Sequence, residues 1–200
     1  MKQFSLVFAT HNANKVAEVN RFIPSFYVIQ SLKDIHWHEP IAETGSTLEE
    51  NAWIKTDAIV IQYGYNCFAD DSGLEIDALD GEPGVYSARY AGFRANADNN
   101  IEKVLKKMTH QTNRKAQFRS VFALYWEGER HTFEGRVGGT LLTHKRGTGG
   151  FGYDPIFVPE GYQKTFAELS PLIKNKIGHR GKALQKMIRF FEERQSLTKI

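Results

Sequence analysis

Asp70 and Asp71 are the adjacent residues of this chain best equipped for chemistry. They follow the apolar run Cys67-Phe68-Ala69 and precede Ser72-Gly73, after which an alternating run begins at Leu74. This pattern predicts a strand that delivers two carboxylates to a sheet end, where the chain turns. Like charges held side by side repel, so such an arrangement needs a cation or hydrogen-bond donors. Oxygen ligands on a rigid element suit Mg²⁺, which takes few carboxylates and fills its shell with water and substrate phosphate. From these residues alone, a solvated Asp-Asp-Ser-Gly turn stays open as the plainer reading.

Other segments carry donors and positive charge. Thr10-His11-Asn12-Ala13-Asn14-Lys15 lies between a buried strand and a helix start, where unpaired amides and the helix dipole favour phosphate. Lys15 adds a point charge, but the Gly-Lys-Ser/Thr pattern of a Walker loop is absent, and an ordinary βα loop also fits. Gly147-Thr148-Gly149-Gly150-Phe151-Gly152 matches a dinucleotide fingerprint by spacing only, since Pro155 and strand-forming residues follow instead of a helix. It reads better as a loop that presents Phe151, Tyr153 and Asp154 at a pocket wall, an aromatic face for a base and a carboxylate for a ring N–H. The stretch from Lys174 to Lys182 gathers basic residues around His179-Arg180, as solvated helix ends also do. His36 and His38 would share a face of an extended segment, but without Cys or further carboxylates nearby they make a poor transition-metal site.

The elements that must position these groups follow from periodicity. Phe4 to Ala9 reads as a buried strand, Val16, Val19, Phe22 and Ile23 as a helix stopped by Pro24, and Phe26 to Gln30 as a second strand. Thr47-Leu48-Glu49-Glu50 is a capping box opening a helix to about Tyr63. Asn96 to Met108 predicts a further helix, and Ala116–Trp126 with His131–Leu142 a long hairpin. Ser170-Pro171 starts a helical tail running past Phe191. A β-α-β opening combined with a hairpin implies an α/β protein with a mixed sheet.

Composition bounds the function. With 26 basic and 23 acidic residues the net charge is +3, too balanced to announce a nucleic-acid binder. The single cysteine, Cys67, excludes an internal disulfide and fits a reducing compartment. The N-terminal apolar run is too short for a signal peptide, and no stretch reaches bilayer-spanning length, so a soluble cytoplasmic protein is expected.

Taken in order, the motifs resemble the inosine/xanthosine triphosphate pyrophosphatase family. The match runs through Thr10-x-Asn12-x-x-Lys15, Glu43 to Ala52 with Lys55, Ala69 to Gly92, Phe151 to Phe157, Lys164 to Pro171, and Lys174 with His179-Arg180. The resemblance implies one pyrophosphatase domain over residues 1–200, an elongated mixed β-sheet with two α/β lobes and a substrate cleft between them, as a homodimer. It implies Mg²⁺-dependent hydrolysis of non-standard purine triphosphates (ITP, dITP, XTP) to monophosphate and pyrophosphate, without stable nucleic-acid or membrane partners. By position, Thr10, Asn12, Lys15 and Lys55 would hold the triphosphate, with His11, Ala13 and Asn14 in the same loop. Glu43 and Asp71 would serve the metal, with Asp71 also the base for the attacking water, and Ser72 would touch substrate. Phe151, Gly152, Tyr153, Asp154, Lys174, His179 and Arg180 would form the nucleoside site. His11 and Asn14 stand where that family commonly has glycine, and Gly178 where it often has serine. Maf-like pyrophosphatases of other base preference and non-catalytic nucleotide binders are the alternatives; the Phe-Gly-Tyr-Asp and His-Arg segments count against the first, the paired carboxylates against the second.

Overall fold

The structure, a computed structural model, describes residues 4–92, 94 and 96–197. Six strands form one mixed sheet in the order β2-β1-β3-β4-β5-β6: β1 (Phe4–Phe8), β2 (Tyr27–Ser31), β3 (Cys67–Ile76), β4 (Lys115–Trp126), β5 (Glu129–Leu141) and β6 (Phe157–Pro159). β1 pairs in parallel with both β2 and β3, whereas β5 and β6 run antiparallel. Among the described residues five α-helices accompany them: α1 (Ala13–Asn20), α2 (Leu48–Tyr63), α3 (Ala97–Lys107), α4 (Pro171–Ile177) and α5 (His179–Leu197).

Local rules explain most of these elements. β1 is buried on both faces: Leu6 and Phe8 pack into one apolar cluster, Val7 and Ala9 into another. That is the alternation a strand covered on both sides requires. α2 starts at Thr47, whose side chain accepts from the Glu50 amide while Glu50 accepts from the Thr47 amide. The hairpin of β4 and β5 closes through the two-residue turn Glu127-Gly128, both at positive φ, which matches strand twist.

The chain divides into two compact units, neither continuous in sequence. The first comprises the chain up to Asp71, Val121–Gly135 and the chain from Gly181 onward; the second comprises Ser72–Ser120 and Arg136–Arg180. Each has its own core. Phe8, Phe68, Phe122, Trp126, Met187 and Phe191 anchor the first, and Ile76, Ile101, Phe118, Phe157 and Phe166 the second.

Three expectations are corrected here. Ser72-Gly73 is not a turn, and the chain does not break after Asp70: β3 runs unbroken through both residues, so the carboxylates sit in mid-strand. Gly73 is there for close approach, because a Cβ on it would collide with the Gly84 carbonyl. The helical tail is likewise two helices, parted at Gly178, where a Cβ would come within 2.6 Å of the Lys174 carbonyl oxygen. His36 has φ 58°, so the segment holding His36 and His38 is not the extended strip that would align their side chains.

Candidate active site

In the first unit, strand and helix bring opposite charges together. Asp70 and Asp71 are buried in β3, with Asp71 7% exposed and Asp70 wholly enclosed. Lys15, in the first turn of α1, pairs with Asp70 Oδ1 at 3.0 Å. Lys55, on α2, lies 2.5 Å from Glu43 Oε1 and 3.7 Å from Asp71 Oδ1. One turn earlier on α2, Asn51 presents the same face. Its Nδ2 donates to Asp71 Oδ2 at 3.2 Å and its Oδ1 accepts from the Gly45 amide at 2.8 Å. Asn51 thereby ties the Glu43–Gly45 segment to β3, a role that the sequence reading missed.

Three carboxylates (Glu43, Asp70, Asp71) thus meet the ammonium groups of Lys15 and Lys55. Burial pushes the Asp71 carboxyl above the ordinary aspartate range; Lys55 and Lys15 oppose this, while Glu43 and Asp70 add to it. Burial works against the Lys55 ammonium too, but Asp71, Glu43 and Asp70 outweigh it and its pKa lies above the usual lysine value. Among the described residues no three His, Cys, Asp or Glu side chains converge into a metal cage. The donor set fits Mg²⁺ nonetheless, because Glu43 and Asp71 both reach one ammonium position and Mg²⁺ needs only one or two carboxylates beside phosphate and water.

The loop before α1 is ordered by its own side chains. Asn12 caps the helix, its Oδ1 accepting from the amides of Asn14 (3.0 Å) and Lys15 (3.3 Å), and Thr10 Oγ1 accepts from the Asn12 amide. The amides expected to stand unpaired for phosphate are therefore already partnered at Asn14 and Lys15. His11 Nε2 meets the Glu39 carbonyl at 3.1 Å, and since a carbonyl only accepts, that nitrogen carries the proton. Thr10, His11 and Ala13 also line a cavity of about 590 Å³ with Trp37 and His38.

The second unit holds a different group. Asp154, 2% exposed, accepts at Oδ2 from the Phe151 amide (2.7 Å) and from Lys174 Nζ (2.7 Å). Lys174 Nζ and the Arg180 guanidinium lie 4.5 and 5.5 Å from the centre of the Phe151 ring. Arg180 Nη2 donates to Ser72 Oγ at 3.1 Å, and Ser72 donates to Ser120 Oγ at 2.8 Å. His179 is buried and stacks on Phe118, with ring centres 4.7 Å apart and planes 12° apart. Tyr153 is 4% exposed, and its hydroxyl donates to the Ser87 carbonyl. Gly152 lets the loop turn beside it with φ 61°. Phe151, Asp154, Lys174, His179, Arg180 and Ser72 are therefore assembled in one unit, while Thr10 to Lys15, Glu43, Lys55 and Asp71 are assembled in the other. The chain itself links them, since Asp71 and Ser72 are consecutive residues of β3.

Comparison with known proteins gives a consistent answer. A family model described as the Ham1 family matches residues 6–190. The chain is 55% identical over 183 residues to a dITP/XTP pyrophosphatase of Flavobacterium johnsoniae, covering 92% of this chain and 95% of that protein. It is 46% identical over 190 residues to a dITP/XTP pyrophosphatase of Bacillus subtilis, covering 93% and 96%. The Ham1 protein of Staphylococcus aureus superposes with a TM-score of 0.87 at 40% identity, over 95% of this chain and 99% of that one. A HAM1 protein from Coxiella burnetii gives 0.87 at 38% identity, over 96% and 100%. With a family match across nearly its whole length and relatives this similar, the chain belongs to the Ham1 family.

Proposed function

We propose that this protein hydrolyses non-standard purine nucleoside triphosphates, ITP, dITP and XTP, to the monophosphate and pyrophosphate, and so clears them from the nucleotide pool. The observation that carries this reading is the buried Asp71 carboxyl set beside Lys55 and Glu43, in a chain whose relatives are named dITP/XTP pyrophosphatases. The two units act as one pyrophosphatase domain in this account.

Asp71 is the base. Its raised carboxyl pKa brings it closer to neutral working pH, where a carboxylate takes a proton more effectively. The attacking water gives its proton to Asp71, its oxygen bonds to the α-phosphorus, and the bond from that phosphorus to the bridging oxygen breaks. Pyrophosphate leaves with the electron pair of the broken bond. Lys15 and Lys55 are held in place by Asp70 and by Glu43 with Asp71 before substrate arrives, so their charge is pre-positioned for the triphosphate. Thr10, Asn12 and the loop residues His11, Ala13 and Asn14 shape the phosphate end. Mg²⁺, held by Glu43 and Asp71, would neutralise charge gathering on the leaving pyrophosphate.

The second unit reads the base. Arg180 carries only donors, so it suits the carbonyl at purine position 6 and not an amino group. Phe151 offers the stacking face. Asp154 accepts from Lys174 and the Phe151 amide at Oδ2, orienting both, and is the acceptor for a ring N–H of the base. A homodimer in the cytoplasm is the assembly and location we infer; among the described residues no helix is long and apolar enough to cross a membrane.

The test is product analysis with ITP and Mg²⁺, with and without added inorganic pyrophosphatase. Orthophosphate appearing only when the coupling enzyme is present is the expected result. Direct orthophosphate release with accumulating diphosphate would refute the reading.

A further inference from the structure

We propose that Thr165 and Glu168 are positioning residues for the base, clamping the glycine-rich loop at residues 146–151 so that Phe151 is presented as a stacking face. This rests on the reading of Phe151 given above. The stretch from Lys164 to Pro171 is prominent in the sequence, yet no step of the proposed activity uses it. The loop, in turn, needs support. Residues 147–150 are exposed, three of the four are glycine, and no helix or strand includes them. Glycine has the most backbone freedom to lose, so such a stretch is loose unless it is anchored.

The anchor is the turn at residues 165–168. Thr165 is wholly buried, and its hydroxyl donates to the Arg146 carbonyl at 2.8 Å. Glu168 Oε2 accepts from the Thr165 amide at 2.7 Å and from Arg146 Nε at 2.8 Å. The Gly149 amide donates to the Ala167 carbonyl at 3.0 Å. Loop and turn also touch too closely for side chains between them. A Cβ on Gly149 would come within 2.8 Å of the Ala167 carbonyl oxygen, and one on Gly147 within 2.7 Å of Glu168 Cγ. At the far end of the loop the Phe151 amide donates to Asp154 Oδ2, which fixes the backbone carrying the ring. Held at Arg146, Gly149 and Phe151, the loop has no more than two residues in a row between contacts. All of these residues belong to the second unit.

The two clamping residues do not weigh equally. The Thr165 amide first, and then Arg146, hold the Glu168 carboxyl below the ordinary glutamate range, so its bond with Arg146 is charge-assisted. The Arg146 side chain is 40% exposed, however, and an ion pair open to solvent contributes little. The Thr165 hydroxyl is closed to water, and removing it leaves the Arg146 carbonyl without that donor. Thr165 is therefore the stronger member of the clamp.

The experiment measures KM and kcat for ITP with Mg²⁺, amide hydrogen exchange at Gly149 and Phe151, and Tm, in wild type, Thr165→Val, Thr165→Ser, Phe151→Ala and the Thr165→Val/Phe151→Ala double variant. Valine keeps the shape of threonine and lacks the hydroxyl. Stacking on the base acts alike in bound substrate and transition state, so it sets KM and leaves kcat unchanged. Thr165→Val should raise KM for ITP about tenfold, the effect of one buried hydrogen bond left unmade. Exchange at Gly149 and Phe151 should quicken by about the same factor, since the same bond holds the loop closed. Thr165→Ser should restore both, and in the Phe151→Ala background Thr165→Val should raise KM no further. If Thr165→Val does not fold, Glu168→Ala takes its place, with smaller changes of the same sign expected. A folded variant that loses Tm but keeps wild-type KM and exchange would overturn the clamp and leave the proposed activity standing. Wild-type protein inactive on ITP would refute that activity, and exchange at Gly149 and Phe151 would then decide the clamp by itself: faster in Thr165→Val upholds it, unchanged overturns it.

Discussion

The two units hold their charged groups in different ways. In the first, the buried strand carboxylates Asp70 and Asp71, with Glu43, pair with the ammonium groups of Lys15 and Lys55. In the second, Asp154 pairs with Lys174, and Arg180 lies against the Phe151 ring and donates to the Ser72 hydroxyl. Buried carboxylates suit a divalent cation and a proton to be accepted. Hydrogen-bond donors fixed over an aromatic ring suit the edge and face of a base. The first arrangement depends on charge and the second on geometry, so substitutions in the two should fail differently.

The largest difference is expected at Asp71. Asp71→Asn keeps size and the contact with Asn51 but removes the charge, and kcat for pyrophosphate release should fall at least about a hundredfold, the lower range for losing a general base. Affinity for ITP should change far less. Near-normal kcat would move the base role away from Asp71 and dissolve the contrast.

In the second unit Arg180→Ala should instead compress selectivity. Loss of a donor that meets the 6-oxo group should lower kcat/KM for ITP by about 10–100-fold, as expected for losing a hydrogen bond to a charged group. ATP should be affected little. Parallel losses on ITP and ATP would show that Arg180 serves phosphate rather than base.

Stability should separate the units as well. The Asp71 carboxyl has a raised pKa in the folded state, so between the ordinary aspartate value and that raised value the folded protein binds a proton that the unfolded chain does not. Stability therefore falls as pH rises through this window, and above it the ionised Asp71 exerts its full cost. Asp71→Asn should raise Tm at neutral pH in metal-free buffer, with the gain fading as pH drops below the ordinary aspartate range. A Tm lowered at neutral pH would mean that Lys55 and Asn51 more than compensate for burial.

A change outside both clusters sharpens the comparison. Gly73→Ala should cost about 1–3 kcal/mol, as for other overpacked sites, because the Gly84 carbonyl occupies the space of the new methyl group. Denaturant unfolding measures this, and a neutral result would show that the Gly84 segment yields easily.

The β-α-β opening, the α2 capping box and the long hairpin were legible because local periodicity and turn residues specify them. Ser72-Gly73 misled because glycine marks both turns and close backbone approach, and only the tertiary partner Gly84 distinguishes them. The break at Gly178 was hidden by helical periodicity on both sides. Two units woven from separate stretches could not be read from composition, since no linker marks their boundary. Within the candidate site, the lysines and carboxylates stood out by type. Asn51 and Ser120 did not, because one polar residue in a helix or strand gives no local sign of what it faces.

The most direct test of the central claim is hydrolysis of ITP with Mg²⁺ in ¹⁸O-labelled water, followed by mass spectrometry of the products. Attack at the α-phosphorus places the label in the monophosphate and leaves pyrophosphate unlabelled. Label in pyrophosphate would contradict the assigned attack, and label in orthophosphate with diphosphate as the other product would contradict pyrophosphatase chemistry altogether.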